Sequence, residues 1–195
     1  TVEITITVSD GDLTDSETFT LTVNAVNDEP ILTEIGDQAT NEDTDLTIGL
    51  SATDVDISEN GQSLTFGAVS SDESLVTVST TTEGDGTSGT LTFDVQDEQN
   101  GTAEITVTVS DAQGRALDSE TFLLTVNAVN DIPILAFIGP QSTDEDIDTT
   151  IVLTASDVDI DQNSQTLVFS AVSSDESLVL VSTTTEGNGT TGTLT

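Results

Sequence analysis

The sequence predicts an all-β fold of tandem, seven-stranded, antiparallel β-sandwiches. Apolar and polar residues alternate over short stretches, which is the period of a strand with one buried face. Thr and Val are abundant in these stretches, and both fit a pleated, half-buried surface. Gly, Asn and Asp lie between the stretches, as expected of turns.

Each predicted strand places its apolar side chains on one face. In TAEITVTVSD, Ile105, Val107 and Val109 share a face, and the threonines between them occupy the other. The same alternation gives the other predicted core residues: Phe122, Leu124 and Val126; Leu46, Ile48 and Leu50; Leu64, Phe66 and Ala68; Leu91, Phe93 and Val95. With PILTEI and SLVTVS added, about seven strands in roughly 100 residues predict a two-sheet sandwich of the immunoglobulin type.

A long internal repeat predicts the domain organisation. Residues 28–92 align without a gap with residues 131–195, and 45 of the 65 positions are identical. The opening TVEITITVSD also matches TAEITVTVSD, so the repeat is about 103 residues long. We therefore expect the C-terminal strands of a preceding repeat in 1–27, a complete β-sandwich repeat in 28–130 and the N-terminal strands of a following repeat in 131–195.

The two end segments together hold nearly one repeat. Only a stretch equivalent to FDVQDEQNG (93–101) separates the end of one copy from the start of another. Two explanations are open: the chain is a slice of one very long protein, or subunits complete one another by strand exchange. We favour the first because it requires no special device.

The composition excludes several kinds of functional site. The chain has no His, Cys, Lys, Trp, Tyr or Met, and Arg115 is its only basic residue against 37 acidic ones. Ser-His triads, Cys nucleophiles, Lys Schiff bases and His or Cys zinc sites are therefore excluded. Paired carboxylates could hydrolyse glycosides, but no Trp or Tyr is available to stack on sugars. We expect the chain not to be an enzyme.

The net charge of −36 bears on possible partners. It repels phosphate backbones, so we expect no nucleic-acid partner. No apolar run approaches the roughly 20 residues that span a bilayer, so we expect no membrane insertion by this segment.

The acidic residues gather in the predicted loops and avoid the predicted core. Like charges about 4 Å apart repel by roughly 1 kcal/mol per pair in water, so such clusters are unfavourable without a cation. Oxygen ligands without His or Cys favour calcium over transition metals. The alternative explanation of the acidity is solubility or adaptation to a salty environment. The clusters are DE (28–29), NEDTD (41–45), DVD (54–56), SDE (71–73) and QDE (96–98).

Several of these stretches resemble cadherin repeats. SATDVDISENGQSLTF is similar to the segment AxDxDxGxNxxLxY, VNDEP resembles the inter-domain linker DxNDNxP, and NEDTDL lies where cadherins place a glutamate near their first strand. The order of these phrases along the whole chain is similar to the bacterial cadherin-like and Ig-like tandem repeats of giant calcium-dependent surface adhesins. Two features depart from cadherins: the linkers begin with Asn24 or Asn127 in place of Asp, and the DRE element is missing.

The resemblance implies Ca²⁺ ligands at the junctions between repeats. At the first junction these are Asn27 and Asp28 of the linker, with Asp54 and Asp56 of the following domain. At the second they are Asn130, Asp131, Asp157 and Asp159, with Glu42 and Asp97 from the preceding domain; Glu145 is the counterpart of Glu42 in the next repeat.

Calcium at a junction would fix the angle between neighbouring domains, and Pro30 and Pro133 restrict the linkers further. We therefore expect a structural extender, or stalk, in a large secreted or cell-surface bacterial adhesin, with neighbouring repeats as its partners. The alternative is a subunit of a self-assembling extracellular filament or surface layer, with strands exchanged between neighbouring chains.

Overall fold

The computed structural model describes residues 1–111, 117–162 and 164–195, without the side chains of residues 59, 60 and 162. Arg115 lies outside the described residues. The strands are β1 Val2–Ser9, β2 Thr14–Leu21, β3 Ile31–Leu32, β4 Gln38–Asn41, β5 Leu46–Thr53, β6 Leu64–Ser70, β7 Val76–Glu83, β8 Ser88–Val95, β9 Gly101–Asp111, β10 Leu117–Asn127, β11 Ile134–Leu135, β12 Ile151–Ser156, β13 Thr183–Glu186 and β14 Thr191–Leu194. The two short helices are α1 Asp56–Asn60 and α2 Asp159–Gln162.

Strands β3 to β10 form two four-stranded sheets around one core, which confirms the predicted β-sandwich. The strand orders are β3-β5-β8-β7 and β4-β10-β9-β6. Of the predicted stretch PILTEI (30–35), only Ile31–Leu32 form a strand, β3, which joins one sheet. Strand β4, Gln38–Asn41, lies outside the predicted stretches and joins the other sheet. The segment β4 runs parallel to the end of β10, with Gln38 opposite Leu124, whereas the other pairings are antiparallel. The middle repeat therefore has eight strand segments where the sequence predicts about seven.

The predicted core residues line the space between the two sheets. Ile105, Val107 and Val109 are completely buried, and β9 alternates buried and less buried residues along most of its length. The rings of Phe93 and Phe122 meet edge to face with their centroids 6.3 Å apart. The other predicted core residues are buried, except Leu46, Ile48 and Ala68, which pack partly buried against the same cluster.

The repeats at the two ends show how strongly these strands depend on their neighbours. Residues 167–173 (LVFSAVS) correspond to β6 (LTFGAVS), yet they form no strand. In the middle repeat β6 pairs only with β9, and residues 131–195 contain no counterpart of β9. A strand needs a partner for its backbone groups, so the same sequence is a strand in one repeat and not in the other.

Candidate metal site at the junction between repeats

Acidic loops of the middle repeat meet the following repeat at the linker NAVNDIP (127–133). The parallel pairing of β4 with β10 places Glu42 directly beside this linker. The Glu42 N–H donates to the carbonyl of Asn127 at 2.9 Å, and its Oε1 accepts from the Val129 N–H. Asn100, in the turn before β9, donates from Nδ2 to Glu42 Oε2 at 3.2 Å. Glu42 is thus fixed between its own domain and the linker.

Five carboxylates from three parts of the chain converge here. One ligand oxygen each from Glu42, Asp131 and Asp159 lie within 4.8 Å of one another, and those of Asp43, Glu98 and Asp131 meet the same limit. Because Asp131 belongs to both groups, we call the five residues together the junction cluster. Glu42 is 2% exposed and Asp159 is 1% exposed, so two of the five charges are withdrawn from solvent.

Hydrogen bonds connect the linker side of the cluster to the following repeat. The N–H of Asp131 donates to Asp159 Oδ2 at 2.7 Å, and the N–H of Asp159 donates to Asp157 Oδ1 at 2.9 Å. Asn130 Nδ2 donates to the Asp131 carbonyl at 2.7 Å, and Gln165 Nε2 donates to Asn130 Oδ1 at 2.6 Å. Asn130 and Asp157 lie outside the junction cluster, and their hydrogen bonds help to hold Asp131 and Asp159 in position.

The electrostatics of the cluster are unfavourable without a cation. Partial burial raises the pKa of the Glu98 carboxyl, and its hydrogen bond and repulsion with Asp131, together with the charges of Asp43 and Glu42, raise this pKa further. Two carboxylates can hydrogen-bond to each other only if one holds a proton. A divalent cation between them would allow both to be ionised.

Two residues of the junction cluster have an unusual backbone conformation. Asp43 and Glu98 both have left-handed backbone, with φ of 57° and 56°, and Asp146, the counterpart of Asp43, has φ of 62°. The Glu98 N–H donates to Asp43 Oδ1 at 2.8 Å, so the two strained loops hold each other. Non-glycine residues in this region cost about 1–3 kcal/mol and concentrate at functional sites.

At the first junction, the linker makes the same hydrogen bonds to the repeat that follows it. The Asp28 N–H donates to Asp56 Oδ2 at 2.7 Å, and the Asp56 N–H donates to Asp54 Oδ1 at 2.8 Å. Asn27 Nδ2 also donates to Asp111 Oδ2 at 2.6 Å, and its Oδ1 accepts from Gln62. Residues 1–27 have no counterparts of Glu42 or Glu98, and within the described residues no three carboxylates at this junction meet the 4.8 Å limit.

Two oxygens at the first junction have no hydrogen bond. Asp54 Oδ2 and Gln62 Oε1 are both buried and accept from no group in the described part of the chain. Buried acceptors of this kind are costly unless a donor or a cation reaches them. The oxygen-only donor set fits calcium, since two oxygens on opposite sides of a Ca²⁺ ion lie about 5 Å apart.

At both predicted junctions the structure brings some of the predicted ligand residues together and leaves others apart. Asp97 is exposed and lies outside both carboxylate groups, whereas its neighbour Glu98 belongs to the junction cluster. Glu145 is also exposed and lies outside both groups. The residues that the prediction missed are Asp43, Glu98, Asp111, Gln62 and Gln165. One sequence signal could have revealed the glutamines. Gln62 follows Asn27 by 35 residues, and Gln165 follows Asn130 by the same 35 residues.

Comparison with known families identifies the domain. The family described as bacterial Ig domain matches residues 27–127, slightly more than half of the chain. The chain belongs to the bacterial Ig domain family. This assignment confirms the Ig-like part of the resemblance, whereas its cadherin-like, calcium-dependent adhesin part stays a prediction.

Solved structures show a distant likeness to this bacterial Ig domain chain. Domains 1–6 of the surface layer protein SbsC are 16% identical with a TM-score of 0.41, covering 100% of this chain and 25% of that one. The endo-fucoidan hydrolase MfFcnA4 of glycoside hydrolase family 107 is 13% identical with a TM-score of 0.41, covering 99% of this chain and 29% of that one. The N-terminal Ig1-2 module of the Drosophila receptor protein tyrosine phosphatase DLAR is 14% identical with a TM-score of 0.36, covering 66% of this chain and 65% of that one.

These likenesses carry no argument about function, and the chain spans about a quarter of the length of the SbsC structure. The curated proteins contain no match to this sequence. Neither helix in the described residues has the length and apolar character needed to cross a membrane.

Proposed function

We propose that this bacterial Ig domain chain is a non-catalytic extender module of a secreted or cell-surface protein, stiffened by calcium where successive repeats meet. The observation that carries the proposal is in the junction cluster, where one oxygen each from Glu42 of one repeat, Asp131 of the linker and Asp159 of the next repeat lie within 4.8 Å of one another. Surface adhesins that hold a binding domain away from the cell need a stalk of this kind.

The chemistry of the cluster favours calcium over other ions. Every candidate ligand is an oxygen, and calcium accepts six to eight oxygens in a flexible arrangement. Glu42 and Glu98 would contribute from the middle repeat, Asp131 from the linker and Asp159 from the following repeat. Extracellular calcium modules bind with dissociation constants of about 10⁻⁴ to 10⁻³ M, which suits the millimolar calcium outside cells.

A bound ion would act on the shape of the chain. Contacts between domains in one chain are usually modest, so a linker without further support allows them to swing. Calcium that binds only the ordered junction stabilises that junction by mass action. Without calcium, repulsion among the five carboxylates favours a looser arrangement.

The test is a calorimetric calcium titration of the whole chain, paired with small-angle X-ray scattering. We expect saturation at millimolar calcium and a narrower distribution of shapes in its presence. Asp159→Asn should lose at least about tenfold in affinity, or 1.4 kcal/mol. The matched control is Asp161→Asn, since Asp161 lies on the same helix but is exposed.

Two results would refute the proposal. One is a wild-type chain that takes up no calcium at millimolar concentration. The other is equal affinity in the Asp159→Asn and Asp161→Asn variants, which would place the bound ions elsewhere on the acidic surface.

A further inference from the structure

The chain enters and leaves the middle repeat at opposite ends of the sandwich. The incoming linker lies at one end of β9, where Asn27 Nδ2 donates to Asp111 Oδ2 at 2.6 Å. The outgoing linker leaves from the other end, where Val126 of β10 lies opposite Gly101, the first residue of β9. Strand β9 has 11 residues, so the two ends are roughly 35 Å apart along the strand. Tension along a chain of such repeats therefore pulls the two ends of the sandwich apart.

The first residues of the middle repeat run alongside β10 in the same direction. We call residues 31–42, which contain β3 and β4, the entry segment. Strand β4 pairs in parallel with the last residues of β10, beginning with Gln38 opposite Leu124. The contact continues beyond β4, since the Glu42 N–H donates to the Asn127 carbonyl at 2.9 Å. The end of the entry segment is thus bonded to the strand from which the chain leaves.

Two carboxylates of β10 extend this contact towards the start of the entry segment. Asp118 Oδ2 accepts from the Leu32 N–H at 2.8 Å. Glu120 accepts from the N–H groups of Ile35 at 2.8 Å and Gly36 at 3.2 Å. These carboxylates of the DSETF motif hold the chain where it crosses from β3 to β4. Hydrogen bonds with an ionised acceptor are stronger than neutral ones, so this part of the contact does not need strand pairing.

Further side-chain bonds connect the middle of the same contact. Asp37 Oδ1 accepts from the Leu123 N–H at 2.9 Å. Asn127 Nδ2 donates to the Thr40 carbonyl at 3.0 Å. The bonds follow one another in the same order along both segments, and we call the whole contact between residues 31–42 and β10 the seam.

The direction of the seam determines how tension acts on it. The incoming linker pulls the entry segment towards its first residue, and the outgoing linker pulls β10 towards its last residue. Because the two segments are parallel, these pulls are opposite and lie along the seam. All the bonds of a contact loaded in this way share the load, whereas strands pulled apart from one end lose one pair at a time. The seam also joins the two linkers directly, without passing through the rest of the sandwich.

We propose that the seam carries tension through the repeat, with the carboxylates of Asp118 and Glu120 as its side-chain fastenings. The chain is then a load-bearing element as well as a spacer. The inference rests on the proposed extender function, because a stalk between two attachment points is placed under tension. It does not depend on calcium, since every bond of the seam joins two groups of the protein.

A bond elsewhere in the repeat provides a matched comparison. Asp45 Oδ1 accepts from the Val95 N–H at 3.1 Å. Asp45 lies just before β5 and Val95 is the last residue of β8, so this bond has the same chemistry as that of Asp118 but lies outside the seam. Forced unfolding is governed by the rate of unfolding and not by overall stability. Loss of the Asp118 bond should therefore shorten the lifetime under tension more than loss of the Asp45 bond.

Optical-tweezers measurements at constant force on the full chain, in a calcium chelator, test the proposal. Cysteine handles added before Thr1 and after Thr195 are unique attachment points, because the protein has no cysteine of its own. Unfolding of the middle repeat releases about 100 residues and lengthens the molecule by roughly 300 Å. We expect Asp118→Ala to shorten the lifetime of the folded repeat by at least about tenfold and Asp45→Ala by less than about twofold. Asp118→Asn keeps one acceptor and should lie between the wild type and Asp118→Ala.

A second pulling geometry tests the direction of the load. The double variant Glu73→Cys, Asp97→Cys places both handles on exposed residues at the end of β7 and β8 where Val76 lies opposite Val95. Force applied there opens this antiparallel pair from one end. The repeat should open at a lower force than with terminal handles, and Asp118→Ala should leave that force unchanged.

Either of two results would overturn the proposal. One is equal opening forces in the two geometries. The other is an equal effect of Asp118→Ala and Asp45→Ala under tension between the terminal handles. Because these measurements are made without calcium, a failure of calcium to bind or stiffen the junction would leave them unchanged, so the two proposals fail separately.

Discussion

The backbone N–H of Asp131 donates to the buried carboxylate of Asp159 at 2.7 Å, which fixes the linker to the following repeat. Two residues earlier, the Val129 N–H donates to the buried carboxylate of Glu42, which fixes the linker to the preceding repeat. Asn130 is the single residue between these two anchors. The linker is therefore anchored to both repeats over a very short segment, and Glu42, Asp131 and Asp159 of the junction cluster make the anchoring contacts.

Replacing Glu98 should weaken calcium binding more than replacing its neighbour Asp97. Glu98 belongs to the junction cluster, whereas Asp97 is exposed and lies outside it. We expect Glu98→Gln to lose at least about tenfold in calcium affinity, or 1.4 kcal/mol, and Asp97→Asn to lose less than about twofold. Calorimetric titration of both variants measures this, and a larger loss in Asp97→Asn would contradict the assignment.

Calcium affinity should rise with pH above the ordinary range of a glutamate. The raised pKa of Glu98 means that the calcium-free folded chain binds a proton more readily than the unfolded chain does. The contribution of Glu98 to the stability of the calcium-free folded chain is therefore fully present at low pH and is lost as pH rises from about 4.5 through the folded pKa. Calcium must displace that proton. Titrations should therefore show weaker calcium binding and more proton release at pH 5 than at pH 7.5. In Glu98→Gln this difference should shrink; an unchanged pH dependence would assign it to other carboxylates.

The sandwich was predictable from sequence because its signal is local. In β9, Ile105, Val107 and Val109 alternate with polar residues, which predicts that their face is buried. The structure confirms this prediction. Residues 64–70 form a strand, whereas the matching residues 167–173 do not. No local sequence signal distinguishes the two. Formation of the strand depends on whether β9 is available as a partner, which the alternation pattern does not encode.

The site was predictable to the level of the loop but not of the side chain. The carboxylate of QDE that joins the junction cluster is Glu98, which also has left-handed backbone. Periodicity gives no direction for side chains in turns, so the choice between Asp97 and Glu98 needed coordinates. The early end of β3 was equally hidden, since the N–H groups of Leu32 and Ile35 bond to Asp118 and Glu120, more than 80 residues away.

Glu120 should stabilise the middle repeat through its bonds to the crossing between β3 and β4. Its carboxylate accepts from Ile35 and Gly36, and hydrogen bonds to charged groups contribute about 1.5–3 kcal/mol each. Glutamine keeps one acceptor, so we expect Glu120→Gln to lower the free energy of unfolding by about 1–2 kcal/mol. Glu104→Gln, exposed on β9, is the control and should change it by less than about 0.5 kcal/mol. Urea unfolding of both variants measures the difference, and equal midpoints would show that the contact contributes little.

Gly86 should tolerate no side chain, whereas its neighbour Gly84 should tolerate alanine at moderate cost. Both have left-handed backbone, with φ of 88° and 58°. A Cβ on Gly86 would lie 2.1 Å from the Leu64 carbonyl oxygen, whereas a Cβ on Gly84 would meet nothing within 4 Å. Gly84→Ala isolates the conformational cost of about 1–2 kcal/mol, and Gly86→Ala adds the clash to it. We expect Gly86→Ala to lower the free energy of unfolding by more than about 3 kcal/mol, enough to unfold a domain of ordinary marginal stability near 37 °C. Thermal unfolding followed by circular dichroism checks this, and comparable melting temperatures for the two variants would show that the turn can move away from Leu64.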